Sequence, residues 1–352
     1  MQSPRLAASF VLAFFMPVRR VERLGRLVVA VLAVAGGILL AGCTAGPPAA
    51  APRRAADAAD PGDFEELLLR GGDGTAMRAL QRGARVAPLR YRVIVVPGSG
   101  CAGMGPVADR YFAGLLHAQV LVLHKPGVAP HARTSPADCS PGFVRHDRLS
   151  AWLAHARAAL RADALQRQGQ PVVPHLLVGI SEGAELLPAL AAEVPHLAGL
   201  VLLSASGLDP QDAGALQARR LGKAADWLHL GRVQAGPLPD GAVLQGRSLG
   251  YWRDLWQWPV MQPLIDSPWP VLQVWGGDDA LVPAVAYERF AQRMAGRAAG
   301  AWCALRIDGA DHGLQRHSEA GGDGIQQVWA GLEQWARAPQ AGLCGAARWQ
   351  RP

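Results

Sequence analysis

One serine lies in a setting that suits nucleophilic catalysis. Ser181 occupies the centre of the pattern G-x-S-x-G, which runs from Gly179 to Gly183. The apolar run 175–180 precedes this serine, and a helical pattern over 182–193 follows it. A serine on a tight turn between a strand and a helix presents its Oγ above the edge of a sheet, where a substrate carbonyl can reach it. The pattern and its setting therefore predict that Ser181 is a nucleophile.

A nucleophilic serine needs a base to take its proton, and the base needs a carboxylate to orient it. His312 follows the apolar run 303–308 and is the candidate base. Asp279 follows the apolar run 270–275 and is the candidate acid. Asp209, which follows another apolar run, is the alternative position for the acid.

The negative charge that develops on an attacked carbonyl oxygen requires backbone N–H donors. Glu182, directly after the candidate nucleophile, is expected to supply one donor. The glycine-rich turn 97–103 is expected to supply the other, from Ser99 or, as the alternative, from Gly100. This turn matches neither G-x-x-x-x-G-K-[ST] nor G-x-G-x-x-G, which argues against a phosphate-binding loop.

Short apolar runs alternate with helical patterns through most of the chain. Each run is bounded by Gly, Pro or polar residues, which is typical of buried parallel strands. A hairpin of 66–70 and 75–80 comes first, and the predicted strands after it are 92–97, 119–124, 175–180, 199–204, 270–275 and 303–308. The predicted helices are 147–166, 182–193, 284–294 and 325–336. This alternation predicts an α/β fold, with a mostly parallel sheet and helices on both faces.

Residues 207–268 interrupt the alternation, because they are rich in Trp, Pro and Gly and contain no clear strand. A loop of this length is expected to have a function or structure of its own, and we interpret it as a cap insertion. Its Trp252, Trp256 and Trp258 are expected either to line an acyl pocket or to pack the cap on the main domain. Lys125, at the predicted carboxyl edge of the sheet, is expected to be solvated or in a surface ion pair rather than to bind an anionic substrate group.

Residues 64–340 resemble the α/β-hydrolase fold, with its G-x-S-x-G elbow, its acid turn G-x-x-D-x-x-V-P and its D-H-G histidine loop. The resemblance implies that Ser181 is the nucleophile, Asp279 the acid and His312 the base, without a cofactor. It implies a serine hydrolase, and a small-molecule carboxylic ester with an apolar acyl group is favoured because the cap is rich in tryptophan. The alternatives are a peptidase, a thioesterase, an acyltransferase, or a non-catalytic envelope lipoprotein used for binding.

The first 43 residues resemble the signal peptide of a bacterial lipoprotein. Four arginines precede the uncharged run 27–41, which is short for a membrane-spanning helix but suits a signal peptide. The run ends in Leu-Ala-Gly-Cys, which resembles a lipobox, so the resemblance implies removal of residues 1–42 and acylation of Cys43. Met16 is an alternative start. Because Thr44 rather than Asp follows the cysteine, an outer-membrane anchor facing the periplasm is favoured.

Residues 43–63 are rich in Ala, Pro and Gly and have no apolar periodicity, so they are interpreted as a flexible tether. The whole chain of 352 residues is 50% hydrophobic and 18% charged, which excludes disordered, collagenous and coiled-coil proteins. Its net charge of +7 falls to +3 without residues 1–42, which hold five Arg and one Glu. The remaining positive charge is spread thinly along the chain, which argues against a nucleic-acid partner.

Four cysteines remain after Cys43, which is an even number in a chain expected to be exported. Four cysteines allow three pairings, and the sequence alone does not choose among them. The positions of their predicted strands and loops favour Cys101–Cys139 and Cys303–Cys344, with free buried thiols as the alternative. The patterns C-x-x-C and H-E-x-x-H do not occur, so no metal site is indicated.

Overall fold

A computed structural model of the chain describes residues 63–71, 74–135, 138–316, 323–345 and Trp349. The predicted signal peptide, the predicted lipidation site Cys43 and all of the predicted tether except residue 63 lie outside these residues. Within the described part, every helix is too short or too polar to span a membrane.

The described residues form an eight-stranded sheet and a separate two-stranded ribbon. The strands are β1 (Glu65–Arg70), β2 (Ala76–Arg82), β3 (Tyr91–Val96), β4 (Ala118–Leu123), β5 (His175–Ile180), β6 (Leu197–Leu203), β7 (Val243–Leu244), β8 (Arg247–Ser248), β9 (Val271–Gly276) and β10 (Trp302–Ile307). The order in the large sheet is β1-β2-β4-β3-β5-β6-β9-β10. Strand β2 pairs antiparallel with β1 and β4, whereas all other neighbours are parallel. The mostly parallel sheet is as predicted, and each of the six predicted parallel strands lies within two residues of its expected bounds.

Helices cover both faces of this sheet. They are α1 (Ala108–Tyr111), α2 (Pro141–His146), α3 (Leu149–Gln166), α4 (Leu187–Leu190), α5 (Pro210–Arg220), α6 (Ala224–Gln234), α7 (Leu249–Gln257), α8 (Met261–Asp266), α9 (Ala284–Met294) and α10 (Gly324–Trp335). Successive side chains of a strand point to opposite faces. In β3, Ile94 and Val96 therefore join the core under α3 to α9, while Val93 and Val95 join the core under α1 and α10.

The segment after the candidate nucleophile differs from the predicted helix over 182–193. It consists of a 3₁₀ turn (Ser181–Leu186), the short helix α4 and a second 3₁₀ turn (Ala191–Glu193). Pro188 lies in the first turn of α4 and has no N–H to donate to a preceding turn. A continuous α-helix is therefore interrupted at this point, and Leu186, Leu187 and Leu190 of the segment are buried.

The insertion 207–268 is largely helical, which the sequence analysis did not predict. It contains α5 to α8 and the two-residue strands β7 and β8. Arg253 of α7 holds the turn after α6 together, because its guanidinium donates to the carbonyl oxygens of Gln234, Gly236 and Leu238 at 2.7–2.8 Å. The insertion thus has structure of its own, which is one of the two possibilities that its length indicated.

Two disulfides are present, Cys101–Cys139 and Cys303–Cys344, which is the favoured pairing. The first joins the loop after β3 to the loop that precedes α2. The second joins β10 to a chain segment beyond α10, in which Leu343 and Cys344 are buried. The start of the predicted C-terminal tail, 341–352, is therefore part of the folded domain.

Candidate active site

The turn between β5 and the following 3₁₀ turn places Ser181 above the edge of the sheet. Ser181 has a φ of +52°, in the left-handed region that L-residues rarely adopt. A Cβ at Gly183 would lie 2.2 Å from the carbonyl oxygen of Val96, and one at Gly179 would lie 2.3 Å from the Cα of Ala184. Neither glycine of the G-x-S-x-G pattern can therefore be replaced by a residue with a side chain, because backbone atoms lie too close to both positions.

The structure brings the three predicted side chains into one hydrogen-bonded chain. The Oγ of Ser181 lies 3.0 Å from Nε2 of His312, and Nδ1 of His312 lies 2.9 Å from Oδ2 of Asp279. An ionised carboxylate only accepts hydrogen bonds, so Nδ1 carries the proton and Nε2 is free to accept the one on Oγ. The arrangement can therefore take a proton from Ser181 while the carboxylate supports the charged imidazole.

The candidate acid is buried and surrounded by donors. Asp279 Oδ1 accepts hydrogen bonds from the N–H groups of Leu281 at 2.7 Å and Val282 at 2.9 Å. Tyr287 donates to Oδ2 at 2.7 Å. Burial would raise the pKa of Asp279, but the hydrogen bonds from His312, Val282 and Tyr287 outweigh burial and hold the pKa below its ordinary 3.8. The carboxyl is therefore ionised at neutral pH.

Asp209, the alternative acid, has a different position. Its Oδ1 accepts hydrogen bonds from the backbone N–H groups of Val260 at 2.6 Å and Met261 at 2.9 Å. It therefore ties the loop after β6 to the start of α8 inside the insertion. The ring nitrogen that an acid must support is bonded to Asp279 instead.

Tyr287→Phe is expected to lower both stability and turnover, because losing a hydrogen bond to a buried carboxylate costs about 1.5–3 kcal/mol. The pKa of Asp279 is depressed in the fold, so its ionised form stabilises the fold above pH 3.8. That contribution is lost as the pH falls through the folded pKa. The variant moves the folded pKa back towards 3.8. Chemical unfolding should therefore show a deficit near neutral pH that shrinks in acid.

Tyr91→Phe is the matched control for this prediction. Tyr91 donates to Glu333 at 2.8 Å in a different part of the fold. Its loss should lower the free energy of unfolding without changing turnover per folded molecule. Wild-type stability in Tyr287→Phe at every pH would contradict the role given to this hydroxyl.

The predicted oxyanion donors lie next to the candidate nucleophile. Ser99 and Glu182 line the same cavity as Ser181, whereas the alternative Gly100 is buried. The N–H of Glu182 belongs to the first residues of a helical turn, where backbone donors have no partner within the turn. Ser99 as the second donor stays a prediction.

The two disulfides are expected to differ in their effect on activity. Cys101 follows the loop that carries Ser99, so the double change Cys101→Ser and Cys139→Ser should lower both turnover and stability. The double change Cys303→Ser and Cys344→Ser should cost about 2–4 kcal/mol of stability and leave turnover per folded molecule unchanged. Denaturant unfolding and initial-rate measurements on the same samples test both statements. Equal turnover in the two variants would contradict a role for the first bridge at the site.

Lys125 is buried, which corrects the prediction of a solvated or surface residue. It is only 4% exposed, and its Nζ donates to Asp147 Oδ1 at 2.9 Å and to Glu182 Oε2 at 2.5 Å. The ammonium also lies 4.5 Å from the ring centre of Trp152. Two carboxylates and an aromatic face replace the water that Lys125 loses on burial.

The insertion adds two further members to this buried polar cluster. Tyr251 donates to Glu182 Oε1 at 2.5 Å, and Arg247 donates to Asp147 while covering the Tyr251 ring at 4.6 Å. Burial would raise the pKa of Glu182, but Lys125 and Arg247 outweigh burial and keep it below its ordinary 4.5. The side chain after the nucleophile is therefore fixed by an ion-pair network. The role predicted for Glu182 from the sequence, as a backbone donor, needs no particular side chain, and no local pattern marks the partners of its carboxylate.

A cavity opens at Ser181 between the sheet edge and the insertion. Its empty volume, counted with the open mouth, is about 1020 Å³. Its lining is largely apolar and includes Leu208, Trp227, Trp252, Leu255, Val260 and Leu281. Trp256 stacks on Trp227 with ring centres 4.6 Å apart, and Trp258 donates to the Glu185 carbonyl at 3.0 Å. Of the three predicted tryptophans, Trp252 lines the cavity, Trp256 packs within the insertion, and Trp258 joins the insertion to the segment after Ser181.

A scan against models of known protein families finds no match. The search of curated proteins finds no match either. Solved structures, in contrast, resemble the chain over most of its length. The esterase Est1E from Butyrivibrio proteoclasticus, solved with ferulic acid bound, is 17% identical with a TM-score of 0.53, over 77% of this chain and 99% of its own.

Two further structures resemble the chain to a similar degree. Carboxyl esterase 2 from the fungus Tuber melanosporum is 18% identical with a TM-score of 0.50, over 76% of this chain and 86% of its own. The α/β hydrolase GrgF from a Penicillium species is 15% identical with a TM-score of 0.50, over 79% of this chain and 99% of its own. At these identities the likeness concerns the fold alone. The chain has the α/β-hydrolase fold.

Proposed function

We propose that this chain of the α/β-hydrolase fold is a serine hydrolase that cleaves a small-molecule carboxylic ester with an apolar acyl group. The observation that carries the proposal is the hydrogen-bonded chain Ser181–His312–Asp279 at the mouth of a largely apolar cavity. The esterases among structures of similar fold support the same reaction class. No cofactor is part of the proposed mechanism.

The arrangement of these side chains supports a reaction in two steps, acylation of Ser181 and hydrolysis of the acyl-enzyme. Ser181 Oγ attacks the ester carbonyl carbon and gives its proton to His312 Nε2, while the N–H groups of Ser99 and Glu182 donate hydrogen bonds to the developing oxyanion. The imidazolium then donates that proton to the departing alkoxide, which leaves as an alcohol, while the acyl group remains bonded to Ser181 Oγ as an ester. Water, deprotonated by His312, attacks the serine ester and releases the acid. Asp279 stays ionised throughout and stabilises the imidazolium.

A substrate panel tests the proposed reaction. Matched acyl chains presented as an oxygen ester, a thioester and an amide of an amino acid should be hydrolysed in that order of preference by the wild-type protein. The same panel with Ser181→Ala should show only the background rate. Faster cleavage of the amide or thioester would replace the ester assignment by one of the alternative activities.

We also propose that Cys43 carries a lipid and anchors the protein in a bacterial cell envelope, at the outer membrane facing the periplasm. The lipobox-like sequence and the Ala- and Pro-rich stretch after it support this anchor. Cys43→Ser should release the protein from membranes without changing ester turnover, because the tether separates the cysteine from the folded domain. Membrane fractionation and initial rates measure the two effects, and intact mass detects the acyl group. A wild-type protein that begins at Met1 or Met16 and has no acyl mass on Cys43 would contradict the anchor.

A further inference from the structure

The cavity beside Ser181 has a polar region that the proposed reaction does not use. Arg247 of β8 and Glu185, four residues after the nucleophile, both line this cavity. Neither group belongs to the hydrogen-bonded chain from Ser181 to Asp279. Polar groups placed in a largely apolar pocket usually fix the orientation of its ligand.

Arg247 has donors to spare. Of its guanidinium nitrogens, Nη1 donates to Asp147, and no acceptor for Nε or Nη2 exists among the described residues. The guanidinium rests on the ring of Tyr251 and is held in place by that contact and by the ion pair. A fixed guanidinium with free N–H groups at a cavity wall is a ready partner for an oxygen acceptor.

The Glu185 carboxyl lacks a hydrogen-bond partner among the described residues, and its Oε2 is buried. Burial without a hydrogen-bond donor disfavours the ionised carboxylate more than the nearby cations Lys125 and Arg247 favour it, so the carboxyl is held in its neutral form. Burial and the nearby Glu182 accordingly raise the pKa of Glu185 well above its ordinary 4.5. A neutral carboxyl has an O–H to donate.

The charges around the cavity already balance. Lys125 and Arg247 face the carboxylates of Asp147 and Glu182, so two positive and two negative groups cancel when Glu185 is neutral. A charged substrate group would enter this buried cluster without compensation, which is costly. An uncharged group that accepts hydrogen bonds would not disturb the balance.

We propose that Arg247 and Glu185 form a subsite for an uncharged acceptor oxygen on the substrate, such as a ketone, ether or hydroxyl oxygen separate from the reacting ester. The proposal rests on the proposed ester hydrolysis and names a substrate class for it. In this subsite the substrate oxygen accepts one hydrogen bond from each side chain. The subsite lies near the nucleophile. Arg247 packs on the ring of Tyr251, and Tyr251 donates to Glu182, the residue after Ser181.

A purely structural role does not account for both of these side chains. Arg247 is accounted for by its ion pair with Asp147, but Glu185 forms no hydrogen bond that an apolar side chain would lose. A buried, unpartnered carboxyl lowers the stability of the fold. A substrate oxygen that accepts a hydrogen bond from this carboxyl gives it a function.

Matched esters provide the test. Four p-nitrophenyl esters of equal length have acyl chains that end in a methyl ketone, a hydrocarbon of the same shape, a carboxylate or an ammonium group. A second set of acetate esters carries the same four groups on the alcohol part. In at least one set, the ketone ester should exceed each of the other three in kcat/KM by roughly tenfold, as expected for a hydrogen bond to a charged donor.

Two variants separate the subsite from general effects on the cavity. Glu185→Met and Arg247→Lys should each reduce the ketone-to-hydrocarbon ratio of kcat/KM at least threefold, by removing a donor or the guanidinium geometry. Glu185→Met should also raise the thermal midpoint, because it removes a buried unpartnered carboxyl. Glu193→Gln, in a partly exposed ion pair with Arg161, is the control and should leave the ratio unchanged.

Failure of the subsite can be distinguished from failure of the proposed function. Ester hydrolysis without a ketone preference in either set, or with a preference for a charged group, would overturn the subsite and leave the function intact. Calorimetric titration of Ser181→Ala with the ketone and hydrocarbon esters gives a readout that needs no turnover. If the wild type hydrolyses no ester, tighter binding of the ketone ester upholds the subsite alone, and equal binding overturns it too.

Discussion

Ser181→Ala is expected to reduce kcat for ester hydrolysis by about 10⁴–10⁶-fold, with little change in the free energy of unfolding. The substitution removes the only atom that forms the acyl-enzyme bond, and the backbone donors near Ser99 and Glu182 retain a small residual activity. Initial rates against a p-nitrophenyl ester and chemical unfolding of the same sample measure both effects. Ser150→Ala, at the exposed start of α3, is the matched control and should keep full activity.

His312→Ala should cost a comparable factor, and the double variant should lose little more than either single one. The reason is that Ser181 and His312 act as a unit, since the base has no proton to take without the hydroxyl. His146→Ala, an exposed histidine of α2, serves as the control. If the two losses multiplied in the double variant, the residues would act independently and the acyl-enzyme mechanism would be wrong.

Asp279→Asn is the second change with a large expected effect, a loss of about 10⁴ in kcat. An asparagine amide can donate to Nδ1 of His312, which favours the tautomer with its proton on Nε2. The base could then no longer accept the proton of Ser181. Measurement of kcat over a range of pH, with the fold monitored in parallel, distinguishes this loss from unfolding.

Asp278→Asn and Asp209→Asn are the informative companions. Asp278 neighbours the acid in the chain, and its change should leave kcat nearly intact. Asp209→Asn should lower stability through its contacts with Val260 and Met261, without a specific effect on proton transfer. Full activity in Asp279→Asn combined with loss in Asp209→Asn would move the acid to the loop after β6.

The sequence was informative where function depends on local backbone patterns. The G-x-S-x-G pattern predicted the tight turn at Ser181, because its glycines allow the close backbone approach that this turn requires. The apolar runs predicted the parallel strands since each run is bounded by turn residues. The positions of Asp279 and His312 followed from the strands before them, because parallel strands end at the same edge of a sheet.

The sequence was much less informative where function depends on contacts distant in the chain. Lys125, Asp147, Glu182 and Arg247 meet from four separate elements, and their mutual neutralisation cannot be read from any local pattern. For the same reason Lys125 was expected to be solvated. The helices of the insertion 207–268 were missed since Pro, Gly and Trp obscure their short apolar faces.

The measurement that tests the central claim most directly is labelling with a fluorophosphonate followed by peptide mass analysis. The probe phosphonylates a serine only when a neighbouring base activates its hydroxyl. We expect one adduct, on the peptide that contains Ser181, with labelling abolished in Ser181→Ala and greatly slowed in His312→Ala. A folded wild-type protein that remains unlabelled, or is labelled at another residue, would contradict the assignment of Ser181 as an activated nucleophile.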